Sequence, residues 1–223
     1  MGILKKIIGV FYLFLISLVS SVLIVLNGTF IYKLSINIFD IVDKTNVSKE
    51  NLIEDYNRVI NYIRNPFIND LSFNNFKMSA EGKFHFYEVK EIIIAIEILF
   101  IILLILGLVL YLLNERKVMK FPIDSFKYTF NATIGIFLGL LLAIYVDFNS
   151  VFNKFHSIFF NNDYWIFDPD KDPIIKALPE EYFMLCAVII IVLTILFTLV
   201  FKIVYKNLNN KRGSVKNVWY AFI

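Results

Sequence analysis

The sequence predicts an all-α membrane protein with four transmembrane helices and two extracellular loop segments that form a partly helical cap. Three observations predict it. The 223-residue chain has a mean hydropathy of +0.69 and is 58% hydrophobic, above the roughly half-apolar usage of soluble domains. The excess is gathered in four runs almost free of charge, each near the ~20 residues that cross a ~30 Å hydrocarbon core. Two long polar segments and one short basic connection alternate with those runs. The chain therefore reads as a single membrane domain.

The first run, 7–32, is 26 residues without a charge. Lys5 and Lys6 precede it, as in a signal peptide. The run is much longer than a cleavable apolar region and no clean small-x-small site follows, so an uncleaved helix is expected. Residues 33–91 are the first polar segment. Within it Leu52, Tyr56, Val59, Ile60 and Ile63 recur at helical spacing, which predicts an amphipathic helix. Asn65-Pro66 ends it. Its apolar stripe either packs into a small cap or rests on the lipid surface.

The second span, 92–113, has one charge, Glu97. An intramembrane carboxylate is a functional candidate by default. The plainer alternative is a side chain that reaches the nearby surface or hydrogen-bonds a neighbouring helix. Arg116, Lys117, Lys120 and Lys127 make the connection 114–127 basic. The third span, 128–146, is uncharged, and Gly135 and Gly139 form a small-xxx-small pair of the kind that admits close helix contact. Residues 147–181 are the second polar segment, with three basic and seven acidic residues. The fourth span is 182–201. A tail with five basic and no acidic residues follows from Lys202.

Charge sets the expected orientation. The N-terminus, the middle connection and the tail hold eleven Lys/Arg in roughly 42 residues, whereas the two long segments hold eleven in roughly 93. Basic density lies on the cytoplasmic side, so both termini are expected inside a bacterial cell membrane and both polar segments outside. One cysteine, Cys186, excludes an intramolecular disulfide, and one Cys with two His is too few for a Cys/His zinc site. No phosphate-binding Gly-x-x-x-x-Gly-Lys-Ser/Thr loop is present. No cofactor and no nucleic-acid partner is expected, and the sequence sets no oligomeric state.

The chemistry-bearing candidates are the chain's two histidines. His85 lies in Phe84-His85-Phe86-Tyr87-Glu88-Val89-Lys90 at the start of the second span. Glu88 is three residues on and shares its helical face, where a carboxylate can orient an imidazole and raise its basicity. Phe152, Phe155, His156, Phe159 and Phe160 form a second amphipathic stripe after the third span. Asn161-Asn162-Asp163 ends it, and Trp165 is an interfacial anchor. Either histidine could be a hydrogen-bonded structural residue. Two, and only two, at one predicted membrane surface favour function. A metal site would need Glu88, Asp163 or Asp168 as further ligands, and no tight ligand spacing supports one.

Those motifs, with Asp168-Pro169, Asp172 and Leu178-Pro179, resemble the lipoprotein intramolecular transacylases, four-helix membrane proteins of low-GC Gram-positive bacteria. The resemblance covers most of the chain. The family's first motif often has Asp where this chain has Glu88, which keeps the carboxylate on a longer arm. The resemblance implies a substrate that is a lipoprotein whose N-terminal cysteine carries diacylglycerol on sulfur and a free α-amine. It implies migration of the sn-2 acyl chain to that amine, giving an N-acyl lyso-form lipoprotein. Diacylglyceryl lipoproteins and membrane lipid are then the expected partners.

The residue types suit that reaction. The α-amine, with a pKa of about 7.7–8.0, must lose a proton to attack an ester, and an imidazole near ~6.5 can take it. The departing glycerol oxygen needs a proton in return. His156 is the expected base, with His85 as acid or as positioner of the ester. Asn161, Asn162 and Tyr87 are candidate donors to the oxyanion. No Gly-x-Ser-x-Gly elbow is present, and none is needed when donor and acceptor sit on one molecule. Two other readings stand beside this one: a non-catalytic accessory or transport protein that uses Glu97, and a metal-dependent hydrolase.

Overall fold

The computed structural model describes residues 2–220, with side chains described as far as Asn210. Lys211, Arg212 and Lys216 of the expected basic tail therefore lie outside the described side chains, and Met1 outside the described residues. The described residues form nine helices and no strand: α1 Gly2–Asn27, α2 Thr29–Ile38, α3 Ile41–Thr45, α4 Lys49–Arg64, α5 Ala80–Glu115, α6 Asp124–Val146, α7 Phe148–Phe159, α8 Ile174–Ala177 and α9 Glu180–Tyr220. Four are long and apolar enough to cross a membrane: α1, α5, α6 and Glu180–Asn210 of α9. This is the predicted fold class, an all-helical protein with four membrane helices. Helix α1 ends at Asn27, and α2 begins after Gly28.

The chain divides into two compact units. The first comprises Met1–Ser21, Phe100–Leu140 and Ile190–Ile223. Its interior is lined by small hydroxyl residues. Ser17, Ser21, Thr129, Thr133, Thr194 and Thr198 are buried, and each hydroxyl lies within hydrogen-bond distance of a carbonyl three or four residues back, as in Thr129 to Ser125 O at 2.7 Å. The Thr194 and Ser21 hydroxyls also lie 3.0 Å apart, joining α9 to α1. Small residues with satisfied hydroxyls let apolar helices pack without a hydrophobic gradient to drive them together. The close approach of α6 to α1 is made by Ser125, whose hydroxyl donates to Lys6 O at 3.1 Å and lies where a side chain on Gly9 would sit. Gly135 and Gly139, the small pair expected to admit a neighbour, face open space among the described residues.

The second unit comprises Val22–Leu99 and Leu141–Ile189. Ser48 caps α4 by accepting the Asn51 N–H at 3.3 Å, satisfying one of the helix's free amides. The α4 stripe Leu52, Tyr56, Val59 and Ile63 is buried, so it packs into the cap rather than lying bare for lipid. Each such side chain contributes roughly 1.5–3 kcal/mol when fully buried. Tyr56 stacks on Tyr32 of α2 with centroids 4.1 Å apart, and its hydroxyl meets that of Tyr182 at 2.9 Å. Tyr32 in turn donates to Ala177 O at 3.1 Å. Asp55 is the buried acid of the stripe. It accepts the Asn74 and Asn75 backbone N–H groups at 2.9 and 3.1 Å and the Asn75 amide at 2.9 Å. Those bonds pin the long connection that leads into α5.

Candidate active site

The site is built where α5 starts. A helix start leaves backbone N–H groups without partners. Here Ser79 accepts the Gly82 N–H at 2.9 Å, and its own N–H and hydroxyl are both taken by Asp172 at 2.6 and 2.7 Å. Asp172 belongs to the distant segment before α8 and is buried. A Cβ on Gly82 would come within 2.5 Å of its Oδ1, so this approach needs glycine. The contact fixes the first turn of α5, and His85 follows in the next.

His85 is only 8% exposed. Phe160 meets it edge-on with centroids 4.7 Å apart, Phe167 at 5.6 Å and Phe86 at 6.1 Å. Among the described residues its Nδ1 is buried without a hydrogen-bond partner. Leaving a buried polar atom unpartnered is costly.

His156 comes from α7, which Asp147 caps by accepting the Ser150 N–H at 3.0 Å. Its Nδ1 lies 2.8 Å from Phe152 O. A carbonyl can only accept, so Nδ1 carries the proton and the Nε2 lone pair is free. Trp165 stacks on the ring at 4.6 Å and 25°, and Phe152 and Phe160 lie at 4.1 and 5.6 Å. Burial holds the imidazole below its ordinary pKa of 6.5, opposed by the bond to the Phe152 carbonyl. It is therefore neutral, and basic at Nε2, at neutral pH.

The two imidazoles face each other with centroids 6.1 Å apart and planes 38° from parallel. No hydrogen bond joins them among the described residues, and Phe160 touches both.

Glu88 and Asn162 are joined: Asn162 Nδ2 donates to Glu88 Oε1 at 2.8 Å. Glu88 Oε2 is buried without a partner among the described residues. Glu88 has no hydrogen bond to His85 among the described residues. Trp165 Nε1 donates to Asn162 O at 3.0 Å. Tyr87 is half-exposed and lies elsewhere, lining a cavity of about 320 Å³ with Tyr62, Asp70, Lys83 and Phe84. Asn161 is exposed, with no side-chain hydrogen bond among the described residues. Glu97 is paired with Arg64 of α4 at 2.8 Å, and Arg64 also donates to Asn27, which gives the carboxylate a structural partner. No group of three or more His, Cys, Asp or Glu is gathered among the described residues.

Sequence reasoning missed three contributors. Phe167 closes over His85. Ser79 is an N-cap residue type just ahead of an apolar run, a readable signal. Arg64 as the partner of Glu97 is a long-range pairing with no local signal.

A family model described as lipoprotein intramolecular transacylase Lit matches residues 7–183. No curated protein matches the chain. A solved structure of the membrane integral lipoprotein intramolecular transacylase Lit from Bacillus cereus aligns with a TM-score of 0.87 at 26% identity, over 96% of this chain and 98% of that one. Two further structures of that protein, in which one histidine is replaced by arginine or by alanine, align with a TM-score of 0.80 at 26% identity. They cover 96% of this chain and 95% and 96% of theirs. A match over most of the sequence, on a fold shared end to end, means that the chain belongs to the lipoprotein intramolecular transacylase family and is a membrane acyltransferase.

Proposed function

We propose that the chain moves the sn-2 acyl chain of a diacylglyceryl lipoprotein to the α-amine of that lipoprotein's N-terminal cysteine, with His156 and His85 as the working groups. His156 Nε2 removes a proton from the α-ammonium. The amine nitrogen attacks the sn-2 carbonyl carbon, forming the C–N bond. The nitrogen of the tetrahedral intermediate gives up its second proton to an imidazole, the C–O bond to glycerol breaks, and the resulting imidazolium passes that proton to the glycerol oxygen, while the proton first taken from the ammonium leaves to solvent. The product has one N-linked and one S-glyceryl-linked chain. The carrying observation is the convergence of the chain's only two imidazoles, from separate helices, to 6.1 Å. Support comes also from the free Nε2 of His156, since a base must reach its proton before its pKa matters. Nucleophile and ester arrive on one molecule, so holding them together supplies much of the rate.

The active site faces outward in this reading, which rests on the density of basic residues. The decisive test is expression in a bacterial host that makes only diacylglyceryl lipoproteins, with mass spectrometry of the N-terminal lipopeptide. N-acylated lyso-form peptide is expected. Unchanged diacylglyceryl peptide from a folded, membrane-inserted protein would overturn the proposal.

A further inference from the structure

Glu88 shares a helix face with His85, yet its hydrogen bond leads to the other histidine. Glu88 Oε1 accepts Asn162 Nδ2 at 2.8 Å. The same Asn162 accepts the Tyr164 N–H on its side-chain oxygen at 3.0 Å, which folds residues 162–164 into a turn. Its backbone carbonyl accepts Trp165 Nε1 at 3.0 Å. Trp165 then lies flat on the His156 imidazole at 4.6 Å. Every side chain between the carboxylate and the ring is held on at least one edge. The Trp165 ring has one N–H donor, and Asn162 fixes where it points.

We propose that Glu88 is a positioning residue for His156, acting through Asn162 and Trp165. The link ties α5, which carries His85, to the turn that covers the other imidazole. It therefore keeps the two rings in register across elements far apart in sequence. The inference deepens the transacylase reading and rests on it for the activity readout alone.

The bond that matters is an acceptor on residue 88, not a charge. A glutamine there retains a carbonyl oxygen for Asn162; an alanine does not. Glu88→Gln should keep N-acylation within about threefold of wild type, while Glu88→Ala and Asn162→Ala each lose up to roughly 100-fold, the cost of misplacing a reacting group. The Glu88→Ala/Asn162→Ala double variant should be no worse than the worse single, because both changes cut one link. A readout independent of activity uses Trp165 fluorescence in a Trp219→Phe background. An imidazolium in face contact quenches indole emission. Emission should therefore fall on acidification with a midpoint below 6.5 in the parent and in Glu88→Gln. The step should be lost or weakened in Glu88→Ala and in Asn162→Ala.

Equal loss of activity in Glu88→Gln and Glu88→Ala would overturn the proposal, since charge would then be what residue 88 supplies. An unchanged fluorescence step in both alanine variants would overturn it as well. If the parent shows the step but makes no N-acyl product, the transacylase reading fails while the link survives. If Glu88→Ala does not fold, Asn162→Ala and Glu88→Gln still decide the matter.

Discussion

His156 owes its character to one hydrogen bond and three neighbouring rings. The Phe152 carbonyl one turn back fixes the proton on Nδ1, and the Phe152, Phe160 and Trp165 rings cover part of the imidazole. Burial favours the neutral imidazole, so the group stays a competent base to more acid pH than a free histidine would. The sign is clear: activity is present above the depressed pKa and lost as pH falls through it. N-acylation by the protein in vesicles should thus be lost on acidification with a midpoint below 6.5. An acid limb centred above 6.5 would contradict this environment for the base.

Helices α5, α7 and α8 meet through a few bonds that decide where the histidines sit. Asp172 holds Ser79 at the start of α5, and Gly82 leaves room for it. Asp172→Ala leaves two Ser79 donors without their partner, which costs about 1–3 kcal/mol. Gly82→Ala drives a Cβ into the carboxylate and should lower Tm and N-acylation together. The double variant should be less damaged than the sum of the singles, since alanine at 172 removes the atom that the new Cβ strikes. Additive losses in thermal unfolding would show that the two residues do not meet. The amphipathic helix α4 and the aromatic stripe around His156 were legible in the sequence because both follow a helical period. The roles around them were less so. His85 and Glu88 at three-residue spacing imply a mutual partnership, yet Asn162, on another segment, is the partner that Glu88 finds. Tyr87 and Asn161 sit beside the motifs in sequence, but lie apart from the paired rings because helical rotation turns Tyr87 away and the turn leaves Asn161 exposed. Pairings across segments leave no local periodicity to read.

At the scale of the molecule, exposed apolar rows mark where lipid belongs. Phe30, Leu34 and Ile38 recur every four residues along α2, and Phe155, Ile158 and Phe159 stand out from α7, each at least half exposed. A bilayer is the apolar environment that would cover them. Orientation is tested by cysteine scanning in a Cys186→Ser background. Lys49→Cys or Lys171→Cys should react with an impermeant reagent on intact cells, and reaction only after lysis would reverse the topology. Glu97 is assigned to structure by its pair with Arg64. Glu97→Gln should therefore lower thermal stability while most N-acylation survives, whereas a transport role would make that carboxylate indispensable. The most direct test of the histidine pair is N-acylation by His85→Ala, His156→Ala and the double variant, each first shown to be expressed and inserted. Acid/base catalysis by two groups acting as a unit predicts a roughly 10²–10⁴-fold loss in each single variant and a double variant little worse than the worse single. A folded single variant that retains near wild-type N-acylation would remove that histidine from the chemistry and contradict the paired mechanism.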